Sequence, residues 1–496
     1  MNSKKIFHFF LVLLTLGLFA SLAVGCNAAS VSPTPLPTVT SMPSQTATVI
    51  PVTSSPSAMP TLQVLELPTG IPYPTASTVK ANAVAFIERD RAGQLSLWVA
   101  NVDGSGERKL TDITHNKNWV YDQMFQWSPD GKWISYFSKD DLWIVSPDGL
   151  TNKRVLSFPN LYTYVWSPDG SKIAYENIVS HEQTETPSPG PESGKVPVNI
   201  GIIDLITGET AILSSHDSNI FMPLLWSPDG KYLLFVKGFS FVFFDLANQK
   251  VIQEIERGCG AWKDITWSPN SKWFYHIDNG SGYYNMWICV SGLNGTSWRI
   301  EDVGVVITPP VWDKTGRFLY FVVGEMNLDI GPNWCVNQRL VRYDVETHKI
   351  QTLLSLEEDG PTGFPWSVSI SPNGNMLGLY SYTFYEDRSH PGHIYIDSSR
   401  PQKNRFIILD IQSLSATKYT LEFEGEINGN FPPPMWSNDN QKIIFFLRDL
   451  VRESYGITYS DYGAFYSWEI RTGKVTLFSG THAVENALVS PVVTVP

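Results

Sequence analysis

An all-β fold is what this 496-residue sequence predicts, and three observations predict it. First, the segment Trp127-Ser128-Pro129-Asp130-Gly131 returns intact at Trp166-Ser167-Pro168-Asp169-Gly170 and Trp226-Ser227-Pro228-Asp229-Gly230. Altered copies stand at Trp267-Ser268-Pro269-Asn270-Ser271, Trp312-Asp313-Lys314-Thr315-Gly316, Ile370-Ser371-Pro372-Asn373-Gly374 and Trp436-Ser437-Asn438-Asp439-Asn440. Second, each copy is followed by a short run rich in β-branched and aromatic residues, the composition of strands. Third, successive copies lie 39, 60, 41, 45, 58 and 66 residues apart. The short gaps match a four-stranded blade and the long ones a blade with an insertion. Together these predict a single β-propeller of four-stranded blades.

Taken from the N-terminus, residues 1–26 precede the fold. Lys4 and Lys5, an almost wholly apolar stretch over 6–24, and Ala23-Val24-Gly25-Cys26 follow the order of a secretory signal peptide. A Cys directly after the small pair resembles a bacterial lipobox. That resemblance implies lipidation at Cys26 and a mature N-terminus there, although Ala23 stands at −3 with Leu22 one place early. An uncleaved transmembrane anchor is the alternative. Both place the rest of the chain outside the cytoplasm and hold it to a membrane. Residues 27–80 are Ser, Thr, Pro, Ala and Val with almost no charge, and Pro recurs from Pro33 to Pro74. Such a segment buries no core and samples extended conformations. It reads as a disordered tether that spans on the order of 150 Å when stretched.

Residues 81–496 hold the repeats. In the unit after Trp127, Pro129 presets φ, Asp130 bonds back to nearby amides and Gly131 accepts a positive φ, which makes a tight turn. Strands are expected at 124–127, 133–137, 142–145 and 154–157, and the same order recurs behind every anchor, as at 172–175, 200–205 and 210–213 after Trp166. Before the first anchor, 83–87, 95–102 and 108–110 read as strands two, three and four of a blade that lacks its first. At the other end, 486–491 reads as a first strand without a blade. The two fragments complete each other, so the C-terminal strand closes the ring and removes its exposed edges. The count is then eight blades. It is seven if 81–123 packs differently.

The Trp-Ser-Pro-Asp-Gly repeat with its hydrophobic strand resembles the TolB-like propeller family. The third-strand pieces Leu97-Trp98-Val99-Ala100-Asn101-Val102-Asp103-Gly104 and Leu142-Trp143-Ile144-Val145-Ser146-Pro147-Asp148-Gly149 fit it too, as does Arg108-Lys109-Leu110-Thr111. The resemblance covers 83–491 and weakens at Asp313-Lys314, Ile370, Asn438 and Asn440. It implies an extracytoplasmic propeller that serves as a binding platform or scaffold, with no fixed partner. Some propellers of this type are the non-catalytic half of prolyl-oligopeptidase-like hydrolases, but no Gly-x-Ser-x-Gly elbow occurs here. Others are polysaccharide lyases with a His-bound metal.

The net charge of −12 argues against a nucleic-acid partner, which wants a basic face. No cofactor motif is present. The anchor Trp residues are expected to fill the space between adjacent sheets, and the turn Asp residues to form turns. Extra residues fall at about 180–197, 325–338, 382–404 and 449–463, each between strands two and three of its blade. All four connections belong to one face of the disc, and function on a rigid ring sits on such loops. The candidate partner-binding residues there are Trp334, Tyr382, Tyr385, Asp387, Arg388, His390, His393, Tyr395, Arg452, Tyr455, Tyr459 and Tyr462. Tyr and Trp among scattered charges suit a protein or a sugar, while packing of the loops onto the disc is the competing role. His115, His181, His216, His390, His393 and His482 are also assigned to connections on this face, and three of them converging would hold a metal. Beyond Cys26, only Cys259, Cys289 and Cys335 occur. A Cys259–Cys335 disulfide is expected on the loop-rich face, with Cys289 buried in a strand. Two functions follow. One is a lipid-anchored module that binds a protein or glycan. The other is a metal-assisted carbohydrate-active enzyme that uses the loop histidines.

Overall fold

The computed structural model describes residues 83–114, 125–139, 141–157, 161–179, 196–218, 224–237, 240–256, 261–279, 286–326, 335–356, 365–382, 385–386, 394–395, 403–412, 418–424, 434–453 and 456–489. The expected leader, Cys26 and the tether lie outside them. The described residues form eight antiparallel four-stranded blades arranged as a β-propeller. Blade 1 takes its outer three strands from Ala83–Arg89, Leu95–Asn101 and Arg108–Ile113. Blades 2 to 7 begin at residues 125, 161, 225, 261, 305 and 365, and blade 8 at 435.

Closure is made by one strand. Val475–Val489 pairs through its first part with Gly456–Glu469, as the outer strand of blade 8. Its last residues pair with Ala83–Arg89, Val84 facing Val489 and Glu88 facing Val484. Blades 8 and 1 therefore share a seven-stranded sheet. The eight-blade count holds, and seven is ruled out.

Each blade is buried on both sides because successive side chains in a strand point to opposite faces. In Tyr232–Lys237 of blade 4, Leu233 and Phe235 pack toward blade 3, and Leu234 and Val236 toward blade 5. Eight buried hydrophobic clusters result, one at every junction of neighbouring blades. An open row of eight sheets has seven junctions. The eighth cluster, Val84, Phe86 and Ala487 against Ile444, Phe446 and Phe465, is the closing one.

The repeated motif builds both the turn and the junction. Ser128 Oγ donates to Asp130 Oδ1 at 2.7 Å and accepts from Trp133 N at 2.9 Å. Gly131 closes the turn at φ 68°. The same bonds recur at Ser167, Ser227, Ser268, Ser371 and Ser437. In the altered copy at Trp312, Asp313 replaces the Ser and its Oδ1 accepts from both Arg317 N and Phe318 N. Several anchor indoles latch their blade to the one before it. Trp166 donates to Ser135 Oγ at 2.8 Å, Trp226 to Val165 O at 3.2 Å and Trp312 to Thr266 O at 3.3 Å.

Three expectations need correction. Many strands are longer than the sequence pattern suggested: Lys172–Ile178 and Thr210–Ser218 both run past the expected ends at 175 and 213. The first strand of blade 6 is split into Val305–Val306 and Val311–Trp312, both paired with Phe318–Met326. Pro309 and Pro310 lie in the break, where they have no N–H to give the ladder. Cys289 lies in the strand Met286–Gly292 as expected but is half-buried rather than buried.

Candidate functional site

In a meander of four antiparallel strands, the connection from strand two to three emerges on the same face as the link to the next blade. The turns between strands one and two, and between three and four, emerge on the other. The observed pairing follows this order in every blade, so the four insertions share one face.

They are not all built alike. In blade 3 the insertion joins Lys172–Ile178 to Val196–Asp204, and in blade 6 it joins Phe318–Met326 to Cys335–Asp344. In blade 7 it contains a two-stranded sheet in which Tyr385 faces Tyr395 and Glu386 faces Ile394. In blade 8 it is a β-hairpin rather than a loop. Lys442–Glu453 and Gly456–Glu469 stay paired to Glu453 facing Gly456, with a bulge between Arg448 and Leu450. Beyond that bulge the hairpin continues from Leu450 to Glu453 as an arm of roughly 13 Å at about 3.3 Å per residue. The bulge re-aims it relative to the blade.

The candidate residues distribute over these elements. Tyr382 ends the strand Met376–Tyr382, and Tyr385 and Tyr395 form a cross-strand pair in the small sheet. Arg452 faces Ile457 and Tyr459 faces Leu450 in the arm, while Tyr462 faces Ala483 of the closing strand. Cys335 faces Met326 at the loop-face end of blade 6. Trp334, Asp387, Arg388, His390, His393, Tyr455 and Cys259 lie outside the described residues, as do His115 and His181, and the Cys259–Cys335 pairing with them.

Two of the six histidines are in strands, not connections. His482 lies in Val475–Val489 opposite Gly463. His216 lies in Thr210–Ser218, and both its ring nitrogens are engaged. Nε2 bonds the Val236 carbonyl at 3.0 Å and Nδ1 meets Ser214 Oγ at 3.1 Å. A carbonyl only accepts, so Nε2 carries the proton and Nδ1 accepts from the serine. The ring also stacks on Phe235, centroids 5.4 Å apart. This histidine has no nitrogen left for a metal. Among the described residues no three His, Cys, Asp or Glu side chains are arranged to hold one.

The sequence reading missed a residue in the same junction. Glu176 sits in Lys172–Ile178 beside Ile200, which faces Ser214 on its other side. Paired strand residues point the same way, so Glu176, Ser214 and His216 form a polar row in the apolar seam between blades 3 and 4. Glu176 is 3% exposed, and burial pushes its carboxyl up to about 8. The charged letter was visible in Ile173-Ala174-Tyr175-Glu176. Ending the strand at Tyr175 placed it outside the blade.

The face opposite the insertions is that of the motif turns. It brings them together across seams: Asp229 N donates to Ser271 Oγ at 3.0 Å and Asn373 N to Asn440 Oδ1 at 2.7 Å. It also opens into a groove between blades 3 and 4.

No family model matches the sequence, and no curated protein matches it. Solved structures similar in fold include a eukaryotic initiation factor, at 13% identity and TM-score 0.47 over 83% of this chain and 99% of that one. An oligogalacturonate lyase from Vibrio parahaemolyticus follows at 13% identity and TM-score 0.40, covering 60% of this chain and 88% of the lyase. A putative TolB from Agrobacterium tumefaciens has 18% identity and TM-score 0.32, covering 59% of this chain and 95% of that protein. With TM-scores below 0.5 these likenesses carry no argument about function, which rests on the chain's own residues.

Proposed function

We propose that the chain is an extracytoplasmic, lipid-anchored propeller that binds a protein or glycan partner across its loop-rich face. One observation carries the reading: the four insertions leave the disc on the same side, and one of them is a paired β-hairpin arm. A rigid ring with one elaborated rim is the architecture of a recognition surface. The apolar leader, Cys26 and the uncharged Pro-rich stretch support display at a membrane surface. Tyrosine, the amphipathic residue type that such surfaces use, recurs in the sequence of the arm and of the blade 7 insertion.

The test is capture from envelope extract with the full chain as bait, beside a full chain whose residues 450–459 are replaced by a two-residue turn. A partner captured by the first and lost from the second supports the reading. Equal capture by both, or none by either, overturns it. Metal analysis separates the enzymatic alternative. A stoichiometric transition metal that disappears in the His390→Ala/His393→Ala variant would replace a pure binding role with metal chemistry.

A further inference from the structure

The groove on the turn face has a volume of about 1580 Å³ and runs along the seam of blades 3 and 4. Its floor is apolar and comes from both blades: Trp226 with the half-buried Ile202, Leu213 and Leu246. Ala211 presents only a methyl group there, which leaves the space open. The rim is acidic. Asp169, Asp204, Glu209 and Asp229 line it, and Lys172 is the only cationic side chain among the described lining residues.

The rim carboxylates are fixed in place by the turns that carry them. Asp169 Oδ1 accepts from Ser167 Oγ, Ser171 N and Ser171 Oγ, and Asp229 Oδ1 from Ser227 Oγ and Lys231 N. Asp204 Oδ1 accepts from Ile206 N and Thr207 N, while Lys172 pairs with its Oδ2. Burial alone would raise the Asp169 and Asp229 carboxyls, but these hydrogen bonds outweigh it and hold both below the ordinary value. Asp204 and Asp229 give their second oxygens to Lys172 and Lys231, and with Asp169 and Glu209 beside them the four carboxylates still outnumber the two ammonium groups at the rim.

An aliphatic floor under a carboxylate rim is complementary to lysine and arginine, whose methylene stems lie on apolar surface while the charged head reaches outward. We propose that this groove binds an extended segment of a partner protein bearing Lys or Arg side chains. The chain's own residues 27–80 bring almost no charge and do not supply the complement. The site is on the face opposite the insertions, so it is independent of the loop-rich surface.

The test is calorimetric titration of the full chain with a capped Lys-Leu-Lys-Leu-Lys peptide, its Glu-for-Lys counterpart and spermidine. The lysine peptide is expected to bind, the glutamate peptide not, and affinity to fall between about 50 mM and about 500 mM salt as exposed charges are screened. Glu209→Lys reverses an exposed rim charge and is expected to weaken binding about tenfold. Ala211→Arg, also at an exposed position, puts a guanidinium into the groove and is expected to do at least as much. Both changes are on surface side chains, and a circular-dichroism spectrum unchanged from the parent keeps the comparison valid. Equal affinity of parent and variants, or no binding by the parent, overturns the proposal. Spermidine binding as tightly as the peptide overturns the protein partner in favour of a small polycation.

Discussion

Trp436 of blade 8 donates its indole N–H to the Ser369 hydroxyl of blade 7 at 3.0 Å, beside the hydrophobic cluster that joins the two blades. The equivalent Trp267 is as deeply placed, yet its indole nitrogen meets no acceptor among the described residues. The same letter of the motif therefore does two things at one position and one at the other. Trp→Phe removes a similar apolar volume at both sites but a hydrogen bond at only one. Trp436→Phe is expected to destabilise the propeller by about 1 kcal/mol more than Trp267→Phe. Urea unfolding midpoints of the two variants check it, and equal losses would contradict the latch.

Backbone strain gives a second comparison. Lys139 is exposed and held at φ 57°, and Ser271 is held at φ 58° in the place where other copies of the motif have Gly. That region costs an L-residue about 1–2 kcal/mol and glycine nothing comparable. Lys139→Gly is expected to gain about 1 kcal/mol in stability. Ser271→Gly is expected to gain less or to lose, because Asp229 N uses the Ser271 hydroxyl across the seam. Thermal or chemical melts of both variants decide; an equal gain at both sites would mean that the inter-blade bond contributes nothing.

These residues also show how far the sequence was legible. The turn-forming letters act locally, within five residues, so the repeat revealed the turns, the blade order and the anchor role of the tryptophans. Closure was legible because 83–110 and 486–491 were each incomplete in complementary ways. The arm in blade 8 was not, because 449–463 lacks clean alternation and read as an insertion. The Glu176–Ser214–His216 row was hidden because two strands were ended early. The groove was beyond reach: Trp226 and Ala211 come to line one space only when two blades are set side by side.

Glu176 predicts a pH dependence. Its folded carboxyl keeps a proton up to about 8, whereas the unfolded chain releases it near the ordinary glutamate value of about 4.3. The folded state then binds more protons across this window, so stability falls as pH rises. The contribution is fully present below about 4.3 and lost above about 8. The fall is on the order of 5 kcal/mol. Glu176→Gln cannot ionise and is expected to remove it, so that the variant exceeds the parent at the alkaline end. Denaturation midpoints between those limits test this, and parallel pH curves for the two proteins would refute it.

Ending the chain at Ala483 deletes the inner strand of blade 1 while leaving the outer strand of blade 8. The edge of Ala83–Arg89 is then bare, and Phe86 loses its neighbour Ala487 from the closing cluster. Bare sheet edges recruit other chains. The truncated protein is expected to associate or unfold at room temperature, which light scattering and circular dichroism would register. A monomeric, fully folded product would show that blade 1 stands without its inner strand.

The strand that closes the ring also sets how the ring meets force. Any pull on the chain ahead of Ala83 enters the propeller at the strand Ala83–Arg89. That strand is antiparallel to the last described residues, with Val84 beside Val489 and Glu88 beside Val484. The first strand to feel a load from the N-terminal side is thus clasped by the last described strand. During synthesis the clasp does not yet exist, and the seven other blades are complete before it can form. Once formed, it makes the point where such a load enters and the point of closure a single mechanical joint.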